Sequence, residues 1–88
     1  MQIFIRFLAF SGKLPKDYVA FHLQGNTTAE DLLRAVESAG QSGMFCAAND
    51  WPGLPEHVLL ASEAHMLRAE EPLREGQLIS IIGQMIGG

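Results

Sequence analysis

The amino-acid sequence predicts a two-layer α+β domain, in which a mixed sheet of about 4–5 strands carries one main helix packed across one face. Three observations lead to this fold class. Apolar side chains alternate near the N-terminus with the period of a strand, a capped amphipathic helix follows, and the last apolar run is nearly continuous, as in a central strand. With 88 residues, the chain is expected to form one domain over residues 1–88.

The first strand is predicted over residues 1–10, because Ile and Phe dominate this segment and apolar side chains recur at every second position. Phe4, Leu8 and Phe10 fall on the second face of the strand, where they need cover or a binding partner. A short turn leads to a second strand over residues 18–24, so that the two strands form a hairpin. The first face carries the expected core residues Met1, Ile3, Ile5 and Phe7.

The clearest helix is predicted over residues 28–39. Thr27 is the predicted N-cap, and Glu30 three residues later gives the pattern of a capping box. Gly40 is predicted to end the helix at the C′ position, where glycine is the commonest residue. One face of the helix carries an apolar stripe that is expected to cover the sheet: Ala29, Leu32, Leu33 and Val36.

The segment after the helix has the weakest pattern. Residues 41–56 lack a sustained period and contain two prolines, which predicts a long loop whose role stays open. Trp51 in this loop is interpreted either as an anchor on the core or as a docking residue for a partner. A strand is predicted over residues 57–63, and a further short strand over residues 64–71 is kept as an option.

The last strand is predicted over residues 78–86, after a turn at residues 72–77. Its side chains are nearly all apolar, which favours a central position with residues 1–10 paired to residues 78–84. A central strand that runs on past the sheet projects its last residues away from the body. Residues 85–88 are therefore predicted to form a flexible tail.

Composition narrows the function classes. The net charge of −4, from 6 basic and 10 acidic residues, makes nucleic acid a poor ligand, because phosphate is bound by clustered Lys and Arg. No apolar run is long enough to cross a membrane and no leader peptide is recognised, so a cytoplasmic protein without a membrane partner is expected. The lone Cys46 cannot form an intrachain disulfide. Neither a metal site nor a catalytic nucleophile–base pair is expected from the spacing of the remaining candidate residues.

The segment "PLREGQLISIIGQMIGG" carries the most specific pattern in the chain. It contains Leu73, a turn at Gly76, an apolar run at residues 78–82, and the closing pair Gly87 and Gly88. These residues resemble the tail of the MoaD/ThiS family of prokaryotic sulfur carriers, and the order of the predicted elements resembles the ubiquitin-like β-grasp fold. The resemblance implies that the whole chain is one ubiquitin-like sulfur-carrier domain.

The resemblance also implies a function. A ubiquitin-activating-like partner enzyme would use ATP to adenylate the Gly88 carboxylate, and a persulfide would convert it to a thiocarboxylate, while the chain itself binds no cofactor. The partner would recognise Met85, Ile86 and Gly87 as an extended tail. The chain would then be a carrier, or the small subunit of a sulfur-transferring synthase, and not an enzyme by itself. The sulfur acceptor would be a synthase or its large subunit in cofactor biosynthesis, of the molybdopterin or thiamine thiazole type. The pathway stays open, because the chain departs from the family pattern at Gln77, Gly83, Gln84 and Ile86.

A second hypothesis comes from a different class of protein. The chain is then a non-catalytic, ubiquitin-like interaction module that binds a partner through the Phe4 and Leu8 face, with Phe10 on the same side. The tail separates the two hypotheses, because a carrier requires Gly88 as its free C-terminus whereas an interaction module does not.

Overall fold

The computed structural model describes residues 1–10, 14–25 and 27–83. These residues form four strands and one long helix, which confirms the predicted α+β class. The elements are β1 (Gln2–Leu8), β2 (Val19–His22), α1 (Ala29–Gln41), a single 3-10 turn (Ala48–Asp50), β3 (Val58–Ala61) and β4 (Leu78–Gly83).

The optional strand over residues 64–71 is not observed. Ser62 accepts hydrogen bonds from the backbone N–H groups of Ala64 and His65, which folds this part of the chain into a tight turn. Met66 then makes one isolated bridge to Ala61, and the pairing goes no further. The sheet consequently has four strands within the described residues, at the lower end of the predicted number.

The strand order is β2-β1-β4-β3, with β1 and β4 parallel and the two outer pairs antiparallel. β4 therefore lies between β1 and β3, and the predicted pairing of the first and last strands is confirmed. Phe4 lies opposite Leu78 at one end of the parallel pair, and Leu8 lies opposite Ile82 at the other.

The core lies between the sheet and α1. Its most deeply buried side chains, each with 0% exposure, come from both layers: Ile3 and Ile5 of β1, Ile79 and Ile81 of β4, and Leu32 and Val36 of α1. Burying each of these side chains stabilises the fold by about 1.5–3 kcal/mol relative to leaving it in water. Because side chains alternate along a strand, the even-numbered residues of β1 point away from α1.

The helix begins one residue later than predicted. Thr28 is the N-cap, and its hydroxyl accepts a hydrogen bond from the Asp31 backbone N–H at 3.3 Å, while the Asp31 carboxylate accepts one from the Thr28 N–H at 3.2 Å. The predicted box of Thr27 and Glu30 is therefore wrong. Thr27 is buried instead, and its hydroxyl donates to the Gln24 carbonyl at 3.0 Å. The hydrogen bonds from Thr28, its backbone N–H first, lower the pKa of Asp31.

The helix also ends later than predicted. It runs through Gln41 to a C-cap at Ser42, so the placement of Gly40 at C′ is wrong. Gly40 lies inside the last turn, where a Cβ atom would come within 2.2 Å of the Trp51 ring. Glycine is therefore needed at position 40 because it leaves room for the Trp51 ring. The glycine that follows the helix with a left-handed backbone is Gly43, with φ of 90°.

The loop after α1 is fixed to the helix by one carboxylate. Glu37 accepts hydrogen bonds from the Trp51 indole N–H at 2.6 Å and from the Leu54 backbone N–H at 2.8 Å, and a third comes from Gln41. Burial on its own would raise the pKa of Glu37, but these hydrogen bonds outweigh it and hold the pKa below the ordinary value. Trp51 also contacts the ring of Phe45, so the structure places it as an anchor of the loop.

Candidate functional site

The predicted tail, residues 85–88, follows β4 after one further residue. Gly83 is the last residue of β4; it is buried and lies opposite Val58 of β3. The chain is therefore anchored in the sheet as far as Gly83. The residues predicted for recognition and reaction lie outside the described residues: Met85, Ile86, Gly87 and Gly88.

Position 83 has room only for glycine. A Cβ atom there would lie 2.8 Å from the carbonyl oxygen of Ala9 and 3.2 Å from the ring of Phe10. Because the nearest atom belongs to the backbone, a larger residue would have to displace the chain itself. The end of β4 is thus packed tightly against the residues that follow β1.

Strict alternation along β1 predicts that Phe10 lies beside Phe4 and Leu8. In the structure Phe10 lies elsewhere. Ala9 has a left-handed backbone conformation, with φ of 61°, and this redirects the chain directly after β1. The Phe10 ring consequently packs against the core and meets Phe7 edge-to-face, with ring centroids 5.6 Å apart. The sequence offers no signal for this turn, because glycine and asparagine adopt the left-handed conformation far more readily than alanine.

The face of the sheet turned away from α1 is here called the open face. Phe4 and Leu8 are half-buried on it, as alternation predicts. β4 adds Leu78 beside Phe4 and Ile82 beside Leu8, and β3 adds Leu59, which is 43% exposed, opposite Ile82. The open face comprises the outward side chains of Phe4, Arg6, Leu8, Leu59, Leu78, Ser80 and Ile82.

Arg6 is the charged residue of this face. Its Nε–H donates a hydrogen bond to the Ser80 hydroxyl at 2.8 Å, and Ser80 is itself only 6% exposed. The guanidinium carbon lies 4.7 Å from the centroid of the Tyr18 ring, in a cation–π contact. Arg6 was not among the residues predicted for a site, although a cation between two outward apolar residues of one strand is a signal that could have identified it.

A shallow groove of about 370 Å³ lies between the turn after β3 and the turn before β4. It borders the open face at Leu78, at the opposite end of β4 from Gly83. Acidic and basic side chains both line it, so no class of ligand is indicated: Glu63, His65, Arg74 and Glu75.

Two other places in the described part of the chain carry reactive side chains. Cys46 is a free, half-buried thiol packed against the core. Glu71 accepts hydrogen bonds from the His65 ring and from the Arg68 backbone N–H, and the His65 bond contributes most to lowering the pKa of Glu71. Across residues 1–10, 14–25 and 27–83, no three potential metal ligands cluster together, and no helix is long and apolar enough to span a membrane.

Comparison with known proteins supports the fold. No family model matches the chain, and no curated protein matches it in sequence. Among solved structures, the chain is similar to SAMP1 from Haloferax volcanii, with 17% sequence identity, a TM-score of 0.63 and coverage of 100% of both chains. At this identity the similarity concerns the fold, which is the ubiquitin-like β-grasp.

Proposed function

We propose that the chain is a sulfur carrier of the MoaD/ThiS type. A partner enzyme adenylates the Gly88 carboxylate with ATP and then converts it to a thiocarboxylate. The observation that supports this most is the position of the Gly87 and Gly88 pair, which follows shortly after the central strand of a β-grasp sheet. The fold alone does not require such a pair at that place.

The geometry at Gly83 suits delivery of a reactive group. The five residues from 84 to 88 reach at most about 18 Å from the buried end of β4, at about 3.3–3.6 Å for each extended residue. A partner that holds the folded domain therefore also restricts where the Gly88 carboxylate can go. Positioning of this kind can supply a large part of a rate enhancement.

The chemistry begins with a poor acyl donor, because direct attack on a carboxylate would have to expel oxide. Transfer of AMP from ATP releases pyrophosphate and leaves a good leaving group on the Gly88 carbonyl carbon. The terminal sulfur of a persulfide then attacks this carbon and expels AMP. A thiol reductant cleaves the resulting S–S bond, which leaves the thiocarboxylate on Gly88. Glycine suits this position, because the adenylated carbon carries no side chain that could crowd the partner's active site.

The thiocarboxylate would then serve a sulfur-accepting synthase. We place this step in cofactor biosynthesis of the molybdopterin or the thiamine thiazole type, with the chain as a free carrier or as the small subunit of that synthase. The activating enzyme would be of the ubiquitin-activating class, and it would bind the ATP that the chain itself does not need to hold.

A second candidate function is a protein-interaction module that uses no tail chemistry. The observation that favours it is the open face, where Phe4 and Leu8 are joined by three further apolar side chains from the neighbouring strands: Leu59, Leu78 and Ile82. Clustered apolar side chains on one face of a small domain are typical of binding surfaces.

Intact-mass spectrometry tests the carrier function. The chain ending at Gly88 is incubated with an adenylating enzyme of this class from the same organism, ATP, a persulfide donor and a thiol reductant. The expected mass gain equals the difference between one sulfur and one oxygen atom. Deleting Gly88 should abolish the gain and leave the melting temperature unchanged, because terminal residues contribute little to a core. Gly87→Ala should only slow the reaction.

A Cys46→Ser variant serves as the matched control, since it removes the other sulfur-reactive group and should react like the wild type. Adenylation that persists without Gly88 contradicts the proposal, as does a mass gain that disappears in Cys46→Ser. In either case the interaction module becomes the better description of the chain.

A further inference from the structure

Arg6 occupies the middle of the open face. On β1 it lies between Phe4 and Leu8, and across the sheet it pairs with Ser80 of β4. The residues on either side of Ser80 that share its face are also apolar: Leu78 and Ile82. Any partner that covers these four apolar side chains must therefore cover Arg6 as well.

The guanidinium group is oriented before any partner binds. Ser80 fixes its Nε–H, and its central carbon lies over the Tyr18 ring, 4.7 Å from the ring centroid. Within the part of the chain that the structure describes, no carboxylate forms an ion pair with Arg6, and its two terminal nitrogens donate no hydrogen bond. The donors that remain available therefore belong to a side chain whose position is already set.

Covering such a cation with apolar surface alone would be strongly unfavourable, because the charge would lose its water without gaining a partner. A carboxylate removes this penalty, since it accepts two parallel N–H bonds from a guanidinium fork. We propose that the open face binds a protein segment that places an Asp or Glu carboxylate, flanked by apolar side chains, against Arg6. This inference concerns a different surface from Gly88 and stands or falls independently of the sulfur chemistry.

Phosphate offers the same acceptor geometry, so nucleic acids and anionic lipid surfaces are the competing ligands. Two observations favour the protein segment. The net charge of −4 repels a polyanion, and the described residues of the open face include one cation where phosphate recognition uses several. The apolar residues around Arg6 instead match the composition of the centre of a protein–protein interface.

A random peptide library displayed on phage and selected against the full chain tests this inference. Peptides that bind are expected to carry one Asp or Glu between apolar residues. The best peptide is then synthesised with its acidic residue and with the corresponding amide, and both forms are titrated against the wild type, Arg6→Gln and Arg6→Lys. Thermal unfolding of each variant verifies that it is folded.

Removing either charge alone is expected to weaken binding about tenfold or more, the usual effect of losing one hydrogen bond between charged groups. Removing both should weaken binding little more than removing one, which is the signature of a direct pair. Arg6→Lys should fall between the wild type and Arg6→Gln, because it keeps the charge and loses the fork. Arg34→Gln on the exposed side of α1 is the matched control and should bind like the wild type.

Several results would overturn the inference. These are selected peptides that lack acidic residues altogether, that bind Arg6→Gln as well as the wild type, or that shift NMR signals away from Leu8 and Ile82. A selection that enriches nothing over an Arg6→Gln counter-selection also counts against it. Binding of single-stranded oligonucleotides or of phosphatidylserine vesicles that depends on Arg6 would assign the face to phosphate. A wild-type dimer that dissociates in Arg6→Gln would assign it to a second copy of the chain.

Discussion

The indole ring of Trp51 lies directly against Gly40 of α1, so that a Cβ atom at position 40 would be 2.2 Å from the nearest ring carbon. The ring cannot simply move aside, because its N–H donates to Glu37 and its face contacts Phe45. This contact joins the last turn of α1 to the loop that follows it.

Gly40→Ala should therefore destabilise the fold, although alanine is the better helix former. Overpacking costs about 1–3 kcal/mol, which exceeds the gain of about 0.8–1.0 kcal/mol from replacing glycine inside a helix. Urea unfolding measures the net loss. In a Trp51→Ala background the obstacle is absent, so the same substitution should become stabilising. An equal effect in both backgrounds would show that the ring does not determine the choice of residue at position 40.

Glu37 should make the free energy of unfolding depend on pH under acidic conditions. Its pKa is lowered in the folded state, so its contribution is complete above the unfolded pKa of about 4.3 and is lost as the pH falls through the folded pKa. Glu37→Gln should lower the free energy of unfolding at neutral pH by about 1–3 kcal/mol. The difference from the wild type should shrink as the pH falls below about 4.3.

Urea unfolding at a series of pH values from neutral to acid measures this difference. Trp51→Phe is the matched control, because it keeps an aromatic ring and removes one hydrogen bond to the same carboxylate. It should show a smaller loss with the same pH dependence. A difference between Glu37→Gln and the wild type that stays constant with pH would contradict the assignment.

Ala9→Gly should leave the fold as stable as before or make it more stable. A left-handed backbone costs alanine about 1–2 kcal/mol, whereas glycine loses about 0.5–1 kcal/mol in chain entropy. The two effects give an expected gain of about 0–1.5 kcal/mol. Ala20→Gly in β2, where the backbone is extended, should instead cost about 0.5–1 kcal/mol. Equal losses at both positions would show that Ala9 is not left-handed in solution.

The carrier function predicts a mobile tail. If Gly88 must enter the active site of a partner, the backbone amides of residues 85–88 should move more on the picosecond-to-nanosecond timescale than those of β4. Amide relaxation of the labelled protein measures this directly. Residues 85–88 that are as rigid as β4 would indicate that they are docked on the body of the domain.

The sequence predicted the parts of the fold that depend on local pattern. Alternation gave the correct inward face of β1, and the apolar run gave the central place of β4. The start of α1 was missed by one residue, because two adjacent threonines, Thr27 and Thr28, offer overlapping capping patterns. Only the burial of Thr27 under the turn before β4, where it accepts a hydrogen bond from Leu73, decides between them.

The candidate site was harder to predict, because its main features are contacts between strands. The pairing of Arg6 with Ser80 depends on the parallel register, and the displacement of Phe10 depends on one backbone angle at Ala9. Neither the Arg6–Ser80 pairing nor the position of Phe10 can be predicted from the local sequence pattern. The residues of the tail could be named from the sequence, because a glycine pair is recognisable there. Arg6 was identified as a site residue only once the strand pairing was known.

The central position of β4 also sets the order in which the sheet can be completed during synthesis. β1 pairs with β2 along one edge, but its other edge and the inner edge of β3 are paired only by β4, which is made after both. Until β4 leaves the ribosome, the nascent chain exposes two strands with unpaired edges, and such edges invite association with other chains. Chains that end before residue 78 should consequently aggregate, because no later strand covers these edges.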